Sequence, residues 1–210
     1  MPDRLKRLVF LSSLAVALLA SAGTAGATTA TVTGGPTLSG TSTSSLYWKL
    51  HNSGKTQSCT GATMSATLAA STSGTIPPGI VTSSNLQMSM TGCTIVGGLG
   101  ITVSCDNTAR LRMTRLTSGG STPAAITGIV CHIFLTTQTA CAMTVTGSMG
   151  ATYRNAPGTL TTDVNHQSLS SAGTCSFGPI GPDSSVRFSS PTSGDLQYNV
   201  SPTNLAINVS

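Results

Sequence analysis

Ala62-Thr63-Met64-Ser65-Ala66-Thr67-Leu68-Ala69-Ala70 is the stretch that decides the fold. Ala62, Met64, Ala66, Leu68 and Ala70 alternate with Thr63, Ser65, Thr67 and Ala69. A period of two is the signature of a strand with one face buried and one face wet. The same period surrounds it. Leu46, Trp48 and Leu50 oppose Tyr47, Lys49 and His51, and Leu86, Met88 and Met90 oppose Gln87, Ser89 and Thr91. Ser71 to Gly79, with Pro77-Pro78-Gly79, separates two of these runs as a turn or loop.

The pattern continues to the end of the chain. Ile101 and Val103 form a short strand after the Gly97-Gly98 turn. Leu111 and Met113 face away from Arg110 and Arg112. Ile126–Leu135 is mostly apolar and reads as a central strand covered on both faces. Met143, Val145 and Met149 mark another strand. Val186 with Phe188, then Leu196, Tyr198 and Val200, then Leu205, Ile207 and Val209 close the series. No segment holds a helical period, and Glu is absent, so a helix would have little local support. Thr suits a pleated surface through its branched Cβ, while Gly and Ser suit the turns. The sequence therefore predicts an all-β fold: an antiparallel sandwich or barrel of about ten short strands.

The first residues read as an export signal. Arg4, Lys6 and Arg7 precede an apolar run from Leu8 to Ala20, and Ala25-Gly26-Ala27 is a small-x-small site, which places cleavage after Ala27. The run is too short and too quickly diluted by Ser, Gly and Thr for a spanning helix. No later stretch is long and apolar enough to span as a helix. Residues 28–45 are Thr, Gly and Ser with few anchors, and read as a flexible lead-in or a weak first strand. Residues 46–210 then form one β domain. Counted without residues 1–27, the net charge is +3. That is too little and too scattered for a nucleic-acid-binding face.

All six Cys follow the signal: Cys59, Cys93, Cys105, Cys131, Cys141 and Cys175. An even count in an exported chain points to disulfides, and the spacings do not resemble a zinc site. Many pairings are possible. The assignment taken here joins Cys131 to Cys141 across a hairpin about Thr136, Cys59 to Cys93, and Cys105 to Cys175. A bridge closing about 35 residues stabilises by roughly 3–4 kcal/mol in the chain-entropy description. That supports a core rich in Ala and Thr, which bury little apolar area each.

Catalytic signatures are missing. Gly147-Ser148-Met149-Gly150 lacks the spacing of a nucleophile elbow. Without Glu there is no zinc-protease helix motif, and paired carboxylates would have to come from Asp106, Asp163, Asp183 and Asp195, each in a turn-like setting. His51, His132 and His166 are the possible bases, yet no spacing joins them to each other or to a nucleophile. Gly54-Lys55-Thr56 lacks the upstream Gly of a phosphate loop. Arg110, Arg112 and Arg115 are the one basic cluster, read as a solvated face that discourages edge pairing. Asn199-Val200-Ser201 and Asn208-Val209-Ser210 match a glycosylation acceptor. No cofactor or metal is implied.

Certain stretches resemble uncharacterised secreted proteins of actinobacteria. These are Ser58-Cys59-Thr60, Met90-Thr91-Gly92-Cys93-Thr94, Cys141-Ala142-Met143-Thr144-Val145-Thr146-Gly147, Ala151-Thr152-Tyr153-Arg154-Asn155 and Tyr198-Asn199-Val200-Ser201-Pro202. The resemblance carries no activity and implies compartment and fold alone. In composition the chain is also similar to the apoproteins of enediyne antibiotics, small secreted immunoglobulin-like sandwiches that hold a hydrophobic ligand. This chain is longer and has more Cys.

The expected role is a secreted or cell-envelope component that acts without catalysis, by binding or as part of a surface assembly. One alternative is a carrier of a small apolar ligand, with Met64, Met88, Met90, Met113, Met143 and Met149 shaping a Met/Leu-lined pocket. Another is a hydrolase built on one of the three His.

Overall fold

The computed structural model describes residues 30–50, 56–70, 81–83, 85–95, 98–113, 120–173, 185–191, 194–203 and 205–209. The export signal with its Ala27 site, His51, Lys55, Arg115, Cys175 and Asp183 lie outside them, as does the side chain of Cys141. The described residues form sixteen strands, and every pairing among them is antiparallel. The all-β reading holds, and the choice between sandwich and barrel falls to an eight-stranded barrel with additional strands.

Six strands make the continuous part of the barrel wall: β5 (Gly61–Ala70), β2 (Thr37–Ser42), β15 (Leu196–Ser201), β13 (Thr159–Gly173), β12 (Gln138–Arg154) and β11 (Ser121–Leu135), in that order. Two positions remain between β11 and β5, and the wall fills them twice. At one end β10 (Arg110–Met113) and β6 (Val81–Ser83) bridge the gap, and at the other β9 (Ile101–Cys105) and β7 (Gln87–Thr91) do so. Each half-strand is short because a loop must carry the chain from one half to the other. The seam is stitched by Leu86 N–H to Ala109 O at 2.8 Å and by Leu111 N–H to Ser83 Oγ at 2.8 Å.

A four-stranded sheet runs β14 (Val186–Ser189), β3 (Leu46–Leu50), β4 (Thr56–Cys59) and β8 (Thr94–Ile95). Its Leu46 and Phe188 share a small cavity with Met64, Ile126 and Met149 of the barrel, so it packs onto the barrel core. Trp48 and Phe188 meet edge to face at 4.3 Å. Side-chain amides join the layers. Gln167 of β13 donates from Nε2 to Phe188 O at 2.8 Å and accepts from Phe188 N–H at Oε1 at 2.7 Å. Asn155 does the same for Ile207 of β16 (Ala206–Val209), which pairs with β1 (Ala30–Thr33). A carboxamide offers donor and acceptor side by side, as the facing residue of an antiparallel strand would. Tyr153 also reaches this pair, donating from its hydroxyl to Leu205 O at 2.8 Å. Burial pushes the Tyr153 phenol up to about 12.

The predicted alternation is kept: Leu46, Trp48, Leu50, Ala62, Met64, Ala66 and Leu68 are all buried. Four readings are corrected. Residues 28–45, read as a flexible lead-in or a weak first strand, hold two strands, β1 and β2. Leu38 is fully buried, and β2 is paired on both edges. The strands are not uniformly short: β11, β12 and β13 are 15, 17 and 15 residues long. Their glycines do not end them but permit close crossings. At Gly147 (φ 142°) a Cβ would lie 2.0 Å from Ser168 O. Nor is Ile126–Leu135 covered on both faces. Ile129, Cys131, Ile133 and Leu135 point inward, while Val130, His132 and Phe134 are half-buried on the outside of a wall one layer thick.

The fourth correction concerns the cysteines. Cys59–Cys93 is formed as expected. Cys105 bonds Cys131, which excludes both Cys105–Cys175 and Cys131–Cys141. The reason is the barrel register. Cys131 faces Val145 on β12 and Cys105 on β9, so its sulfur partner comes from the non-hairpin side. Two disulfides mark oxidising, extracytoplasmic surroundings. Among the described residues no helix is long and apolar enough to cross a membrane.

Candidate functional site

Polar side chains collect on the outer wall because the strands alternate. Ser39 and Thr41 of β2, Thr63 and Ser65 of β5, and Gln87 and Ser89 of β7 all turn away from the core. They line an open groove of about 520 Å³, with Asn107 from the β9–β10 turn at its rim and Gly40, Met64 and Met88 beneath. Gly40 lets the wall pack closely there, since a Cβ would sit 3.0 Å from Met64 Cγ and 3.3 Å from Tyr198 Cβ. Inside the groove Ser65 Oγ donates to Gln87 Oε1 at 3.5 Å. Among the described residues, the side chains of Thr41, Thr63, Ser89 and Asn107 have no protein partner.

The register extends this groove into a row. Thr41 faces Thr63, Thr63 faces Ser89, Ser89 faces Ser104, Ser104 faces His132, and His132 faces Thr144. Neighbouring strands lie about 4.8 Å apart, so six residues span roughly 24 Å across the sheet. The row ends in a short polar chain. His132 Nδ1 is 3.1 Å from Thr144 Oγ1, and His132 Nε2 is 3.4 Å from Asp106 Oδ2. His132 also stacks on Phe134 with ring centroids 6.4 Å apart.

Asp106, His132 and Thr144 thus carry the ingredients of an acid–imidazole–hydroxyl relay. The setting is poor for acyl transfer. The His132 and Asp106 side chains are 36% and 47% exposed, so the groups sit in water rather than in a cleft. At Thr144 strand β12 is paired on both edges, with His132 and with Ala172, so its backbone N–H groups serve the ladder rather than a developing oxyanion.

His166 lies elsewhere, in a wide bulge of β13 where Met149 faces Gln167 but Gly150 faces Asp163. Its Nδ1 makes a short hydrogen bond with Asp163 Oδ2. That bond, and the Asn165 N–H donated to the same carboxylate, hold Asp163 below its ordinary value of 3.8. Asp195 Oδ1 accepts from Val164 N–H and fixes the bulge from the next strand. These Asp residues shape backbone, as their turn-like contexts suggest. Among the described residues no group of three His, Cys, Asp or Glu could hold a metal.

Among the described residues the remaining candidates are not brought together. Arg110 and Arg112 are exposed on β10 without an ion pair among the described residues, while Asn199 is exposed on β15. Met64, Met113, Met143 and Met149 are buried, and Met88 and Met90 pack against the core. The cavity that Met64, Met88, Met90 and Met149 share holds only about 10 Å³. Sequence reading missed the groove. Period two marks which residues point outward, but only the register sets Thr41, Thr63 and Ser89 side by side.

Comparison with protein-family models, curated proteins and solved structures finds no match to this chain. The resemblance to secreted actinobacterial proteins therefore rests on the quoted motifs alone.

Proposed function

We propose that this chain is exported and acts outside the cytoplasm as a non-enzymatic binding or structural component of the cell envelope. The observation that carries this reading is the contrast between its two sides. The interior cavity lined by Met holds about 10 Å³, room for roughly one water. The outer groove offers about 520 Å³, within the usual range of ligand clefts. Among the described residues, the Met-lined cavity gives a carrier of apolar ligands no support. Charge is low, and disulfides brace the barrel so that the groove is a pre-formed surface.

The test is co-sedimentation of the purified mature protein with envelopes of the producing cell. Saturable binding that drops on filling the groove with Thr41→Trp is expected, and export predicts a mature N-terminus at Thr28. Binding that is unsaturable or indifferent to the groove would refute the proposal. The Asp106–His132–Thr144 chain keeps a hydrolase as the second reading. Turnover of ester or glycoside substrates that His132→Ala abolishes would install it instead.

A further inference from the structure

We propose that the outer groove binds an uncharged glycan chain, laid across the strands from Thr41 toward His132. This deepens the binding reading above and rests on it. Among the described residues no ionisable side chain lines the groove. Nucleic acids and acidic polymers are held chiefly by cations, and the described cations sit elsewhere. Lys49 and Arg187 face each other on the four-stranded sheet, Arg110 and Arg112 are on β10, and Arg154 ends β12. A lipid or apolar ligand would need an apolar wall, and here only Met88 is half-buried at the surface of the groove.

What the groove does offer is neutral hydrogen-bonding capacity. A hydroxyl both donates and accepts, and a carboxamide does each at a separate atom, so together they match sugar hydroxyls in either sense. The side chains of Thr41, Thr63, Ser89 and Asn107 are not spent on protein partners among the described residues. From Thr41 to His132 the row crosses four strand spacings, about 19 Å along the curved wall. A linear chain can follow it where a single small molecule would fill only part. At its far end the stacked, half-buried rings of His132 and Phe134 supply a flat face for the C–H side of a sugar ring. Such a site is shallow and wet, so its specificity comes from hydroxyl placement and its strength from repetition along the polymer.

The experiment is native affinity electrophoresis of the mature, disulfide-intact protein in gels cast with a neutral α-glucan, β-glucan, mannan or galactan. Gels with polygalacturonate or DNA serve as acidic controls, all at raised salt to suppress the weak net positive charge. Retardation by at least one neutral polysaccharide is expected. Thr63→Val with Ser89→Ala removes two hydroxyls from exposed strand positions and should weaken it roughly tenfold. Thr127→Val, exposed on β11 outside the groove, should leave it unchanged. An unaltered urea midpoint in each variant shows that the fold is retained. Retardation by acidic polymers alone, or neutral retardation indifferent to Thr63 and Ser89, overturns the proposal. The envelope assay separates the two readings. Groove-dependent envelope binding that no neutral polysaccharide competes would sink the glycan and leave the binding role. Loss of both would sink both.

Discussion

Replacing Gln167 by Leu should loosen the four-stranded sheet from the barrel. The Gln167 amide takes the place of a strand for Phe188, accepting its N–H at 2.7 Å and donating to its carbonyl at 2.8 Å. Phe188 is 3% exposed, so after the change both backbone groups stay buried with no partner on that edge. An unsatisfied buried donor or acceptor costs about 1–3 kcal/mol. Gln167 itself is half-buried, which lets water recover part of that. The expected loss is therefore about 2–4 kcal/mol, taken from the lower part of the range for two groups. For a chain of this length it lowers Tm by roughly 5–15 °C. Trp48 is the sole tryptophan and lies against Phe188, so its fluorescence reports the sheet directly. Urea unfolding followed by Trp48 fluorescence and by far-ultraviolet dichroism should give coincident transitions in the native chain. In Gln167→Leu the fluorescence transition should come first. Gln167→Glu keeps both an acceptor and an O–H donor while its carboxyl is protonated, so it should lie near the native chain in acid and fall toward the Leu variant once ionisation removes the donor. A Leu variant within about 0.5 kcal/mol of the native chain, at equal m-value, would refute the reasoning, since such differences are typical of surface changes.

Three further outcomes follow from the same geometry. The double change Cys105→Ser and Cys131→Ser opens a loop with a sequence separation of 26. It should cost about 3–4 kcal/mol by the chain-entropy relation, read from the urea midpoint; an unchanged midpoint would show that the bond contributes nothing to stability. With Cys59–Cys93 and Cys105–Cys131 formed, Cys141 and Cys175 are the two cysteines left from an even count of six. A non-reduced peptide map should accordingly show a Cys141–Cys175 link, and two alkylatable thiols would contradict it. Asp163 is held low by His166, so its contribution to stability is present above the ordinary carboxylate value and lost as pH falls through the lowered one. His166→Ala should return Asp163 toward 3.8, measured by carboxyl NMR titration. The stability gap between the two proteins should also close on acidification, and a gap that persists in acid would point to packing instead.

The strand assignments were legible wherever burial is one-sided. Leu46–Leu50 and Gly61–Ala70 alternate in sequence because one face of each meets the core. Legibility fell where the local signal was ambiguous. In residues 28–45 only Leu38 is a large anchor within β2, and its burial depends on β5 and β15, one nearby and one far along the chain. In β12 the glycines Gly147 and Gly150 carry no strand signal of their own, whereas in the barrel they allow β13 to pass at distances no Cβ would permit. Cys pairing was legible for Cys59–Cys93. It was misread for Cys131, because a hairpin neighbour and a barrel neighbour are equally plausible until the register is known.

Of the site, the sequence showed the residue types. It could not show that Asp106 and His132 meet, since they belong to neighbouring elements that pair over a separation of 26 residues. By itself the sequence determined the class: alternation and composition select antiparallel β structure. These are local or additive properties, readable without knowing which strands are neighbours. Closure into a barrel, the second disulfide and the row from Thr41 to Thr144 were decided only by tertiary structure. Each depends on register between strands distant in the chain, and a shift of one residue would turn the hydroxyl row inward and the Met core out to water.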